Sequence, residues 1–136
     1  MTTGPLDGLR VLDLSNQLSG PYCAMLLGDL GADVVKVEHP VGGDPARLAA
    51  PHLAGESAPF MTVNRNKRSI TVDLKTPDGL AIARRLAARA DVVLENWRPG
   101  AAARLGLGYD DVRRLNPRAV YCSISGFGQT DRKSVV

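Results

Sequence analysis

The chain has 136 residues and a mass of 14.5 kDa, room for one domain of ordinary size. Hydrophobic residues make up 44% and charged residues 23%, which excludes a disordered or fibrous chain. A net charge of +3 with only 4% aromatic residues lacks the basic stripe and stacking platforms of a dedicated nucleic-acid binder. No apolar run approaches the ~20 residues that span a bilayer, and residues 1–10 lack a basic segment followed by an apolar one. Cys23 and Cys122 are too few for a disulfide scaffold. A soluble, cytoplasmic protein with no membrane partner is expected.

Residues 9–14 form a short branched apolar run suited to a buried strand. A polar loop, 15–20, follows, and Pro21 stands where a helix can begin without losing a hydrogen bond. Ala24, Leu27, Leu30 and Ala32 give that helix an apolar face, interrupted at Gly28, and Gly31 is placed to end it. Residues 33–38 read as a second strand, so the first unit is β-α-β with short connections, the building block of parallel sheets. Between Pro40 and Pro59 no period is visible, which predicts a long surface excursion. A third strand is predicted at 69–74. Thr76, Pro77 and Asp78 then supply N-cap, first position and acidic first turn for a helix running to about Ala90. Residues 90–95 read as a strand, 101–105 and 110–115 as short helices, and 118–124 as the last strand. The pattern predicts an α/β fold, a Rossmann-like, mostly parallel sheet with flanking helices.

Ligands of such sheets sit outside the carboxyl ends of the strands, which directs attention to the loops beginning at Ser15, His39, Lys75, Asn96 and Ser125. The first loop opens a helix whose free amides suit an anion, but with Gly20 as its one glycine it lacks the three-glycine dinucleotide fingerprint. Glu38 stands where a ribose-binding acid would be; the plainer alternative is a solvated side chain. Residues 64–69 gather Arg65, Lys67 and Arg68, able to meet phosphates or to blunt a strand edge in solvent. Trp97 and Arg98 leave the end of a buried strand together with Asn96, and Arg104 follows. The ring offers a flat face and the guanidinium a fork for phosphate; the alternative is a Trp filling a core gap. His39 and His52 read as surface residues without metal-ligand spacing, and Cys23 and Cys122 as inert buried thiols. Asp13, Asp73 and Asp91 read as local caps or pairs. No catalytic motif is present.

Several segments in order resemble the family III CoA-transferases (CaiB/BaiF-like): Pro5-Leu-Asp-Gly-Leu-Arg-Val-Leu-Asp-Leu14, Gly20-Pro21, Leu30-Gly-Ala-Asp-Val-Val-Lys-Val-Glu38, Asn66-Lys-Arg-Ser-Ile70, Asp73-Leu-Lys-Thr-Pro-Asp-Gly79, Ala90-Asp-Val-Val-Leu-Glu-Asn96, Arg98-Pro-Gly100, Asn116-Pro-Arg118 and Ser123-Ile-Ser-Gly-Phe-Gly-Gln129. The resemblance implies that residues 1–130 are the N-terminal part of a CoA-binding Rossmann-like domain. It also implies that coenzyme A and acyl-CoA enter as substrates with a carboxylic acid, with no covalently held cofactor, and that the longer parent is an interlocked homodimer. By position, Gln17, Leu18 and Ser19 fall near the pantetheine and thioester end. Val72, Asp73, Leu74 and Lys75 line CoA, and Asn96, Trp97, Arg98 and Arg104 surround adenine and phosphates. His39 stands where the family often has a nucleotide-contacting Arg, and its side chain is shorter, which puts that contact in question.

Family transferases use an aspartate that attacks the thioester and forms a mixed anhydride; racemases of the family use a His and an Asp to move a proton. Both sets fall beyond the Gly-Phe-Gly-Gln segment, so no catalytic residue is expected in this chain. After Thr130 the resemblance stops at Asp131-Arg-Lys-Ser-Val-Val136. One codon choice, GAT CGG AAG AGC GTC GTG then TAG, matches the start of a sequencing adaptor, so 131–136 are expected to be a non-native tail. The alternatives to a transferase are a racemase, a non-catalytic nucleotide-binding module, and a weak phosphate-backbone binder using Arg65, Lys67 and Arg68.

Overall fold

The structure is a computed structural model that describes residues 4–130; the expected non-native tail, 131–136, lies outside the described residues. Strand β1 (Arg10–Asp13) leads into helix α1 (Ser19–Asp29) and strand β2 (Asp33–Glu38). A 3-10 turn (Pro45–Leu48), a small hairpin of β3 (His52–Leu53) and β4 (Glu56–Ser57), and helix α2 (Ala58–Asn64) precede β5 (Lys67–Thr71). Helix α3 (Pro77–Ala87), β6 (Val92–Glu95), α4 (Ala101–Arg104), α5 (Tyr109–Leu115) and β7 (Val120–Ser123) complete the order. The five long strands form one wholly parallel sheet, β5-β2-β1-β6-β7.

The central strands are covered on both faces, which is why they read as unbroken apolar runs. Val11, Ala24, Ala32 and Val34 pack under α1 on one face. Leu12, Leu14, Val72, Ala83, Ala87, Val93, Leu107 and Val112 form the larger core under α3 and α5 on the other. Helix ends follow the expected chemistry. Thr76 Oγ1 accepts the Gly79 N–H at 3.1 Å with Pro77 in the first turn. Gly31 turns α1 off with φ +105°, a conformation that disfavours a side chain. The helix α3 stops at Ala87, three residues short of the expected Ala90.

The excursion after Pro40 is more ordered than expected. The single Ser57 hydroxyl proton is shared between the carbonyls of Ala46 and Ala49, both 2.7 Å from Oγ, and the same oxygen accepts the Phe60 N–H at 3.3 Å, starting α2. The Arg47 guanidinium lies 3.8 Å over the Phe60 ring. Helix α2 was invisible in the sequence because it is seven residues long and buries one side chain, Val63, too little for a period to show. Strand β5 begins at Lys67, two residues before the expected Ser69. The cations there each pair with a carboxylate; Arg65 and Arg68 stay more than half exposed at the edge of the sheet, and only the Lys67 side chain is buried. Arg65 pairs with Asp29, Arg68 forks onto Asp33, and Lys67 runs inward to Asp13. Asp91, expected to pair locally, instead accepts the backbone N–H and the Nε of Arg10 across the sheet. Cys23 and Cys122 are free and half-buried, less covered than expected. Among the described residues no helix is long and apolar enough to cross a membrane, and none group at metal-ligand spacing.

Candidate functional site

Strand order reverses at β1: the chain moves outward to β2 and β5, then returns to β6 on the other side. The loops after β1 and β6 therefore diverge and leave a crevice at the carboxyl edge, the place where open α/β sheets bind ligands. A cleft of about 660 Å³ lies there, lined by Asn16, Gln17, Leu18, Ser19, Pro45, Asn96, Trp97, Arg98, Ala101 and Arg104. Seven of the expected site residues meet in it: Gln17, Leu18, Ser19, Asn96, Trp97, Arg98 and Arg104. A neighbouring depression of about 590 Å³ shares Arg98 and is bordered by Glu95, Tyr109, Arg114 and Ser123.

His39, Val72, Asp73, Leu74 and Lys75 are not in the cleft. They follow β2 and β5, further along the same edge. His39 is exposed, its Nδ1 within 3.1 Å of the Val41 N–H. Val72 is buried in the larger core. Asp73 caps a turn by accepting the Lys75 N–H at 2.9 Å, and Lys75 itself is exposed.

Local structure explains the cleft. Gly20 in the first turn of α1 lies so close to Ser15 that any Cβ would overlap the serine side chain, and it would also sit 3.3 Å from the Asn96 amide carbon. A glycine is thus required there although the three-glycine fingerprint is absent. Trp97 packs against the larger core and also lines the cleft. Arg10, Arg47, Arg65, Arg68 and Arg114 each pair with a carboxylate. Arg98 and Arg104 have no carboxylate partner among the described residues, so two guanidinium forks at the cleft remain open to an anion.

Beneath the first loop lies a group of charges that sequence reasoning missed. Lys36 and Asp44 are fully buried and paired at 2.9 Å. Lys36 Nζ also donates to the Ser15 carbonyl at 2.7 Å and lies 3.9 Å from Asp13. Buried Asp13 receives Lys67 Nζ at 3.0 Å, which also donates to the Pro21 carbonyl at 2.8 Å. Burial pulls the Lys67 pKa below its usual value, opposed by the Asp13 charge. Two carboxylates and two ammonium groups balance one another, and among the described residues no buried side-chain polar atom lacks a partner. The signal was present: Asp13 and Lys36 interrupt strands otherwise too apolar to tolerate a charge unless it is paired.

Glu38 is neither a ribose ligand nor solvated. It is buried, with Arg47 bidentate at 2.7 and 2.8 Å, Ser69 Oγ at 2.6 Å and the Asp44 N–H at 2.9 Å. Burial alone would raise its pKa, but these donors outweigh it and hold the carboxyl at about 2.

The family model of CoA-transferase family III matches residues 6–135. Succinyl-CoA:glutarate CoA-transferase of Mus musculus is 50% identical over 127 residues, covering 93% of this chain and 29% of the relative. Acetyl-CoA:oxalate CoA-transferase of Acetobacter aceti is 46% identical, covering 93% and 33%. A crystal structure of a CAIB/BAIF family protein from Brucella suis superposes with a TM-score of 0.90 at 46% identity, over 96% of this chain and 35% of that one. The chain thus spans about a third of the length of the relatives it matches. With the parallel sheet, the crevice at its point of reversal and a family match over nearly every residue, the chain belongs to CoA-transferase family III.

Proposed function

We propose that this chain is the CoA-binding N-terminal region of a transferase that moves coenzyme A between carboxylic acids. The observation that carries the reading is the cleft between the β1 and β6 loops, where Arg98 and Arg104, without a carboxylate partner among the described residues, line the same wall as Trp97. Coenzyme A offers matching parts: phosphates for the guanidinium forks, a planar adenine for an aromatic face, and an amide-bearing arm long enough to follow the polar loop at 16–19. Asp73, Leu74, Lys75 and His39, along the same edge, extend the surface that a molecule of that length covers, with buried Val72 supporting it from the core. The named substrates of the relatives, succinyl-CoA with glutarate and acetyl-CoA with oxalate, support acyl-CoA and a carboxylic acid as the exchanging pair.

The chemistry belongs to an aspartate beyond these residues. Its carboxylate attacks the thioester carbonyl, forming a mixed anhydride and releasing the CoA thiolate. This region holds the CoA while that happens, so the isolated chain is inactive. The working form is an interlocked cytoplasmic homodimer. The test is calorimetric titration of the full-length protein with CoA, followed by incubation with succinyl-CoA and a free dicarboxylate. Saturable binding and appearance of the second acyl-CoA are expected. Failure to bind CoA overturns the reading; exchange of the α-proton without transfer makes the protein a racemase instead.

A further inference from the structure

We propose that Asp44 and Asn96 are positioning residues that hold the backbone of Asn16 and Gln17 as a rigid wall of the cleft before any ligand arrives. The proposal deepens the CoA reading of the cleft and rests on it.

Consecutive backbone groups of this loop are each bonded to a side chain, and Lys36, Asp44 and Asn96, distant in the chain, supply all but the Asp13 bond. The Ser15 N–H donates to Asp13 at 2.9 Å and the Ser15 carbonyl accepts Lys36 Nζ at 2.7 Å. The Asn16 N–H donates to Asn96 Oδ1 and its carbonyl accepts Asn96 Nδ2, both at 2.8 Å. The Gln17 N–H donates to both oxygens of Asp44, at 3.0 and 3.2 Å. Gln17 needs such a hold because its φ is +65°, a conformation that a residue with a side chain keeps only when its surroundings over-determine it.

Asp44 is itself immobile. Its carboxylate pairs with buried Lys36 and accepts the Ala46 N–H at 2.9 Å, and its own N–H donates to Glu38. Asn96, expected to contact CoA, spends both ends of its amide on Asn16, with a longer contact from Nδ2 to Ser19 Oγ at 3.4 Å. Asn96 therefore acts through the loop. The Gln17 side chain, by contrast, is exposed at the cleft. A wall fixed in advance loses no further conformational freedom when ligand binds.

The test uses the full-length protein and two readouts. Hydrogen exchange of the loop peptide is measured without ligand, and CoA affinity is measured on the folded fraction. In the wild type the loop exchanges slowly. Asp44→Ala and Asn96→Ala are expected to speed exchange at the loop, leave β6 protected, and weaken CoA about tenfold or more. Asp44→Asn keeps an acceptor oxygen for the Gln17 N–H and leaves Lys36 in place on the Ser15 carbonyl, so it is expected to lie closer to the wild type than Asp44→Ala in both readouts. Should Asp44→Ala fail to fold, half-buried Asn96→Ala carries the measurement. Unchanged loop exchange, or lower stability with CoA affinity intact, overturns the proposal. If the wild type binds no CoA, the reading of the site fails, while the exchange pattern still decides the positioning role.

Discussion

Two kinds of arginine stand at the carboxyl edge of this sheet, and their partners separate them. Arg98 and Arg104 are exposed and have no carboxylate partner among the described residues; Arg47 is committed to Glu38. Arg98→Ala and Arg104→Ala in the full-length protein are expected to weaken CoA by about 1–3 kcal/mol each, the range of a charge-assisted hydrogen bond to phosphate. Titration calorimetry reads this, and an unchanged dissociation constant removes that arginine from the site. Arg47→Met has a different signature. Glu38 is held at about 2 against an ordinary 4.5, so the folded state binds fewer protons than the unfolded state in that window. Its contribution is complete above pH 4.5 and is lost as pH falls toward 2, on the order of 3 kcal/mol in all. Without Arg47 the carboxyl titrates higher, and the acid-unfolding midpoint followed by circular dichroism is expected to move up. A midpoint that stays put contradicts the assignment. The sequence marked Arg98 and Arg104 because they follow a strand end, but it could not distinguish Glu38 from a solvated acid, since Arg47 and Ser69 reach it from other elements.

At the scale of elements, the first β-α-β unit depends on how closely α1 approaches the loop before it. Gly20→Ala places a methyl group where the Ser15 side chain already stands, so loop or helix must shift. A loss of about 1–3 kcal/mol in denaturant unfolding is expected, together with weaker CoA binding because the same shift moves Gln17 to Ser19. Unchanged stability and affinity would show that the loop gives way without consequence. Helices α1 and α3 were legible from glycine, proline and threonine placed at their ends, signals that are local in the chain. Helix α2 and the early start of β5 were not. The first is too short to display a period, and the second is set by Lys67 and Arg68 finding Asp13 and Asp33, carboxylates on β1 and β2.

At the scale of the whole molecule, the outer side of α1 carries an apolar stripe. Leu18, Tyr22, Leu26 and Leu30 recur every four residues and are 67%, 50%, 43% and 46% exposed. Val120 on the edge strand β7 is 63% exposed. Contiguous apolar surface of this kind favours association. The 136-residue chain is therefore expected to self-associate or to bind a hydrophobic dye when produced alone. A sharp two-state melt of a dye-silent monomer would contradict this.

Local chemistry along the chain was enough to read the alternation of strand and helix, the parallel sheet and the loops that border the cleft, because buried strands, caps and turns announce themselves within a few residues. Folding in three dimensions decided what faces what. It gathered Gln17, Leu18, Ser19, Asn96, Trp97, Arg98 and Arg104 into one cleft and left His39 and residues 72–75 further along the edge. It also brought Asp13, Lys36, Asp44 and Lys67 together under the loop. A buried charge is tolerable only beside its counter-charge, and those partners lie far apart in the chain and meet only when the strands pair.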